Sequence, residues 1–152
     1  MTRMTVVTRK TSAPPDAVWR VLADGHRYAD WVVGAKTIRS VDPEWPTPGS
    51  RFHHRVGVGP VDIKDSSVSE AVDEGHAISL RVKAFPAGAA RVRIILTPTD
   101  DGGTEIMLEE HPIEGFARRF DNPLQQAALR VRNIESLRRL ARLAERDEAR
   151  AA

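Results

Sequence analysis

His54, Glu110 and Asp65 are the residues of this chain best suited to moving protons, because each falls in step with the apolar side of an alternating segment. His54 keeps parity with Phe52 and Val56, Glu110 with Ile106 and Leu108, and Asp65 with Val61 and Ile63. Ionisable groups on an inward face cost free energy unless they are paired or used. An imidazole and a carboxylate in an apolar pocket could shift the protons of an aldol cyclisation or a dehydration. The competing reading is structural: His54 and Glu110 pair with each other, or with Arg55, Arg118 or Arg119, and hold the sheet or the pocket mouth together. The residues favour the structural reading. They lean away from an enzyme, and no catalytic residue is assigned beyond these three candidates.

Other chemistry is excluded or weak. The chain of 152 residues has no Cys, so thiolate nucleophiles, disulfides and Cys metal sites are ruled out. Adjacent strand residues point to opposite faces, so His53 and His54 cannot chelate one ion. His111 lies near Glu109, but no third ligand is indicated. Gly57-Val58-Gly59-Pro60 sits between two strands and reads as a turn, not a phosphate loop. No metal and no cofactor are expected.

The elements that must carry these residues follow from periodicity. Residues 4–11 alternate as a strand, and the Pro14-Pro15 pair then opens a helix bearing Trp19. A further short helical turn carries Tyr28 and Trp31. Strands are predicted at 33–42, 50–58, 60–71, 76–85, 89–98 and 103–111, joined by hairpin-length turns, so the sheet is antiparallel. Val68 is out of step with Ile63, which predicts a bulge near Asp65 to Ser67. Asn122-Pro123 caps a last helix running to about Glu148, with Leu124, Ala127, Ala128, Val131, Ile134, Leu137, Ala141 and Ala144 on one stripe. Its length exceeds any one strand, so it must lie across several. One domain is expected over residues 1–148, with 149–152 frayed.

Formal charge is +2, yet nine Arg stand against five acids between Arg118 and Arg150. A solvated face accounts for this excess, so nucleic acid is not an expected partner. No apolar run spans a membrane and the N-terminus has no signal core, which points to a cytoplasmic protein, monomeric or homodimeric.

A coiled sheet closed over one helix encloses more volume than the helix can fill, and aromatics make up only 5% of the chain. The expected pocket lining is Trp19, Tyr28 and Trp31 from the short helices and Phe52, His54, Val56 and Ile63 from the first hairpin of the sheet. Ile78, Leu80, Val82, Val92, Ile94, Leu96, Leu108 and Glu110 are expected from the later strands. Phe116 and Phe120 before the last helix, and Leu124 and Ala128 on it, complete the set.

Four segments, PPDAVWRVLADGHRYADWV, PGSRFHHRVGVGPVDIKDSSV, GGTEIMLEEHP and RNIESLRRLARLAE, together with the element order, resemble the START-like, birch-pollen-allergen-like superfamily in its polyketide cyclase/dehydrase (SRPBCC) branch. The resemblance covers nearly the whole chain. It implies an α+β helix-grip fold: a curved six- to seven-stranded antiparallel sheet around a long C-terminal helix, with two short helices after the first strand. It also implies a pocket for a small hydrophobic, lipid- or polyketide-like molecule, and it carries over no universal catalytic residue. The expected function is binding or carriage of such a molecule. The alternatives are a cyclase or dehydratase acting on a polyketide-like substrate, and a regulatory interaction protein that uses the basic helix or the sheet edge.

Overall fold

Alternation of apolar and polar residues builds a sheet wet on one side, and in the computed structural model, which describes residues 4–58, 61–84, 88–114 and 123–152, seven such strands form one sheet. They are β1 (Thr5–Thr11), β2 (Ala35–Val41), β3 (Arg51–Val58), β4 (Val61–Asp73), β5 (Ala77–Ala84), β6 (Gly88–Pro98) and β7 (Thr104–Glu114). Their order is β1-β7-β6-β5-β4-β3-β2, antiparallel throughout. β1 closes onto β7 in unbroken register from Thr5↔Glu110 to Thr11↔Thr104. At that corner the backbones approach so closely that a Cβ at Gly103 would overlap the Thr11 carbonyl oxygen.

Between β1 and β2 lie α1 (Pro15–Leu22), a 3₁₀ turn (Gly25–Arg27) and α2 (Tyr28–Trp31). Pro15 starts α1 because its fixed φ suits a first turn whose N–H would lack a partner anyway. α1 buries Val18, Trp19, Val21 and Leu22. The last element, α3 (Pro123–Ala151), crosses the concave face of the sheet. It runs past the expected fray at 149, with Ala152 N–H donating to the Glu148 carbonyl. Asn122, its expected cap, lies outside the described residues. Among the described residues no helix is long and apolar enough to cross a membrane.

The two halves of α3 differ. The C-terminal half is packed: Leu137, Leu140, Ala141 and Ala144 join Val18, Val21, Leu22, Ile94, Leu96 and Ile106 in the core. Polar ties pin the same half, with Arg27 forked onto Asp147 at 2.6 and 3.2 Å and the Thr11 hydroxyl donating to Glu145 at 2.5 Å. The N-terminal half corrects the sequence expectation. Leu124 and Val131 are 80% and 68% exposed, and Ala127, Ala128 and Ile134 are exposed as well. The physical reason is helical pitch. Ala128, Val131, Ile134 and Leu137 are spaced by three, and each step of three falls roughly 60° short of a full turn. The apolar row therefore winds around the helix, outward at Ala128 and inward at Leu137.

A second correction concerns β4. Its pairing with β3 is regular through Asp65, Ser66 and Ser67, and the register shift falls between Ser69 and Ala71 on the β5 side. The bulge sits later than expected, so Ser67 and Ser69, both buried, face inward in place of Val68.

Candidate functional site

Because the core gathers under α1 and the C-terminal half of α3, the other end of the sheet is left less filled. A cavity of about 350 Å³ lies there. Its floor is strand side chains: Leu80 and Val82 on β5, Ala90 and Val92 on β6, Leu108 and Glu110 on β7. Its roof is the inward face of α3, Gln125, Leu129, Arg132, Asn133 and Ser136. Its end wall is Tyr28, Trp31, Phe52, His54 and Ser67, continued by residues 32–35.

The end wall is built on aromatic packing. Tyr28 stacks on Phe52 with ring centroids 4.3 Å apart, and Trp45 meets both rings edge-on at 5.7 and 4.9 Å. Trp31 leans on Tyr28 at 5.0 Å. Among the described residues, the buried Tyr28 hydroxyl, Trp31 Nε1 and His54 Nδ1 have no hydrogen-bond partner. Burial pushes the Tyr28 phenol up, so it stays protonated at any ordinary pH. Ser136 has a structural task, accepting a hydrogen bond from the Val33 N–H at 3.1 Å and so tying α3 to the segment after α2.

The three candidate proton-transfer residues part company. His54 lines the cavity, with Nε2 3.2 Å from the Ser67 hydroxyl. Glu110 also lines it, but both its oxygens are taken. Arg132 Nη2 donates to them at 2.6 and 2.9 Å, and Asn133 Nδ2 donates to Oε1 at 2.9 Å. The described partner is Arg132 on α3, which sequence reasoning does not single out; Arg118 and Arg119, which it does, lie outside the described residues. Asp65 is half-buried opposite His54 in the β3–β4 register, lies outside the cavity wall, and accepts from the Ser66 N–H. β4, β5 and β6 separate His54 from Glu110. His53 turns the other way and approaches Asp42 at 4.0 Å. Among the described residues no group of three or more His, Asp or Glu is placed to hold a metal ion.

Of the other expected lining residues, Tyr28, Trp31, Phe52, Leu80, Val82, Val92 and Leu108 stand in the cavity wall. Trp19, Ile78, Ile94 and Leu96 are buried in the core instead, below α1 and the packed half of α3. Leu124 and Ala128 point to solvent, for the pitch reason given above. The side chains of Val56 and Ile63, and all of Phe116 and Phe120, lie outside the described residues. Sequence reasoning missed Ser67, Arg132, Asn133 and Ser136. One available signal was that 125, 129, 132, 133 and 136 continue the row 137, 140, 141 and 144 along a single helix face.

Loss of hydration holds the His54 imidazole below its ordinary value, partly offset by Asp65 across the strand pair; Arg39 and His53 lower it further. The folded ring thus refuses a proton that the unfolded chain accepts below about pH 6.5. Its contribution to stability is complete above that pH and declines as pH falls, until the depressed folded value is reached. The melting temperature should drop as pH falls below about 6.5, and His54→Phe should flatten that drop. Equal pH slopes in the two proteins would refute this assignment.

Three comparisons bear on the site. A family described as polyketide cyclase / dehydrase and lipid transport matches residues 1–145. No curated protein matches the chain. Among solved structures, protein NE0264 from Nitrosomonas europaea superposes with a TM-score of 0.74 at 19% identity, covering 96% of each chain. An aromatase/cyclase from a Streptomyces species superposes at 0.72 with 21% identity, covering 96% of this chain and 95% of that one. The protein Ara h 8.0201 superposes at 0.71 with 10% identity, covering 95% and 98%. At these identities the likeness is one of fold.

Proposed function

The chain belongs to the polyketide cyclase/dehydrase and lipid transport family, and from that premise we propose that it binds and carries one small, largely apolar molecule in the cavity beneath α3. The observation that carries this reading is the cavity itself. About 350 Å³ walled chiefly by aliphatic and aromatic side chains falls in the size range of small-molecule sites. Tyr28, Trp31 and His54, with unpartnered polar atoms in one wall, favour a ligand bearing an acceptor oxygen over a pure hydrocarbon. Trp31 can only donate there, and Tyr28 is a neutral phenol.

Binding without turnover is favoured over catalysis because Glu110 is saturated by Arg132 and Asn133 and is separated from His54 by three strands. One observation supports a cyclase or dehydratase as the second reading. A neutral, buried imidazole in a cavity is a competent proton acceptor.

The test is uptake of the neutral dye N-phenyl-1-naphthylamine, followed by displacement with a panel of oxygenated aromatics and acyl compounds. Native mass spectrometry of the purified protein runs alongside. The expected result is one dye per chain, displaced competitively. No dye uptake, no retained compound and no thermal shift across the panel would overturn the binding reading. Conversion of a linear poly-β-ketone into a cyclised product, lost in His54→Gln with dye uptake intact, would replace it with the cyclase.

A further inference from the structure

Ser67 stands apart from the other buried serine and threonine hydroxyls among the described residues. Thr5 and Thr11 donate to side chains of α3, Ser50, Ser69 and Thr104 donate to backbone carbonyls, and Ser136 accepts from the Val33 N–H. Ser67 meets a basic nitrogen instead: its Oγ lies 3.2 Å from His54 Nε2, and both residues stand in the cavity wall. Strand pairing puts them there. Ser67 pairs with Phe52 and Asp65 with His54, so all four share one side of the β3–β4 hairpin. Loss of hydration keeps the imidazole neutral near pH 7, and the Asp65 charge acts on it from across the strand pair. Tyr28 stacks on Phe52, the residue opposite Ser67. Its hydroxyl and Trp31 Nε1 are unpartnered donors of the same wall.

We propose that Ser67 and His54 form a nucleophile–base pair that hydrolyses esters of small apolar carboxylic acids taken into the cavity. The inference rests on the cavity admitting an apolar molecule, as proposed above, and does not call on Glu110. A serine hydroxyl is a weak nucleophile until a base within hydrogen-bond reach, about 2.6–3.2 Å, takes its proton. Such a pair is recognised by geometry and roles, not by sequence position. Ser67 Oγ attacks the ester carbonyl carbon while its proton passes to His54 Nε2, and the carbonyl oxygen becomes negative. The Tyr28 hydroxyl and Trp31 Nε1 are the free donors of this wall for that oxygen. Collapse of the intermediate breaks the bond to the leaving oxygen, which takes the proton from Nε2 and departs as an alcohol. Water then attacks the acyl-serine with His54 again as base. The bond from Oγ to the acyl carbon breaks, Oγ regains the proton, and the carboxylic acid leaves. The net change is ester and water to acid and alcohol. The apolar wall suits the neutral ester better than the carboxylate product, which favours release.

The test is incubation of the full chain with 4-nitrophenyl butyrate, followed by nitrophenolate release and, after an acid quench, by intact mass and peptide mapping. Nitrophenolate leaves readily, so the acyl-serine should accumulate. The wild type should carry one butyryl group, on Ser67. Ser67→Ala should lose that label, and Ser67→Ala and His54→Gln should each release nitrophenolate at least roughly a hundredfold more slowly. Ser66→Ala, on the other side of β4, should behave as the wild type. Mapping the label in the wild type needs no variant, so the proposal stays open to refutation even if Ser67→Ala fails to fold. Uptake of the neutral dye by the same samples separates this reading from carriage. If dye still enters but Ser67 gains no butyryl group, or if butyryl groups appear only on lysine or histidine, hydrolysis falls and carriage stands. If neither dye nor butyryl group is taken up, both fall.

Discussion

Replacing Ala90 by Trp should weaken uptake of a neutral hydrophobic dye severalfold to about a hundredfold, while Thr97→Trp, the same bulk on the exposed side of β6, should leave it intact. Ala90 keeps step with Val92 and Ile94, pairs with Val82 and Pro112 on the neighbouring strands, and stands in the cavity floor. An indole there occupies space the ligand needs. A dye forced in beside it meets an overfilled site, at a cost of about 1–3 kcal/mol, which on a dissociation constant is roughly fivefold to 150-fold. Because the new side chain enters existing volume, the melting temperature should change little. Dye titration and thermal denaturation together decide the matter. Undiminished uptake by a folded Ala90→Trp protein would mean that the dye binds elsewhere, and the assignment of the cavity as the binding site would fall with it.

The second large effect concerns Glu110 and its partners on α3. The carboxylate is buried, with three donated hydrogen bonds from Arg132 and Asn133, and it joins β7 to the helix roof. Removing one member of a buried pair strands the other charge. The full cost of doing so is about 3–5 kcal/mol, but Arg132 is itself 40% exposed, and solvent reduces what its removal costs. Arg132→Met should therefore destabilise the fold by about 2–3 kcal/mol. Adding Glu110→Gln should recover part of that loss, because an amide needs no counter-charge and still accepts from Asn133. A double-mutant cycle in urea measures both. If Arg132→Met were neutral, or if the double variant were less stable than the single one, the pair would not be what fastens α3 over the cavity.

These two predictions draw on information of different kinds. The position of Ala90 in the floor was readable from the alternation of β6, since Val92, Ile94 and Leu96 lie against apolar neighbours and every second residue follows suit. The same alternation, with hairpin-length turns between strands, determined the antiparallel sheet, while the Pro14-Pro15 pair and apolar residues at helical spacing determined the short helices after β1 and the long final helix. Periodicity reports on burial, and for most of the chain burial and apolarity coincide.

They cease to coincide around the cavity. Ser67, Arg132, Asn133 and Ser136 are polar and face inward, while Leu124 and Val131 are apolar and face outward, so hydrophobic pattern assigns this half of α3 the wrong face. Only the tertiary structure decided that Glu110 meets Arg132, across a contact between β7 and α3 that no local spacing encodes. It also decided that His54 and Glu110 stand with three strands between them. The reason is physical: a core selects for apolar side chains, but a cavity wall and a solvated surface both tolerate polar ones. Sequence can therefore say how the chain must fold around its core, and the orientation of what lies beyond the core is set by the packing of elements distant in sequence.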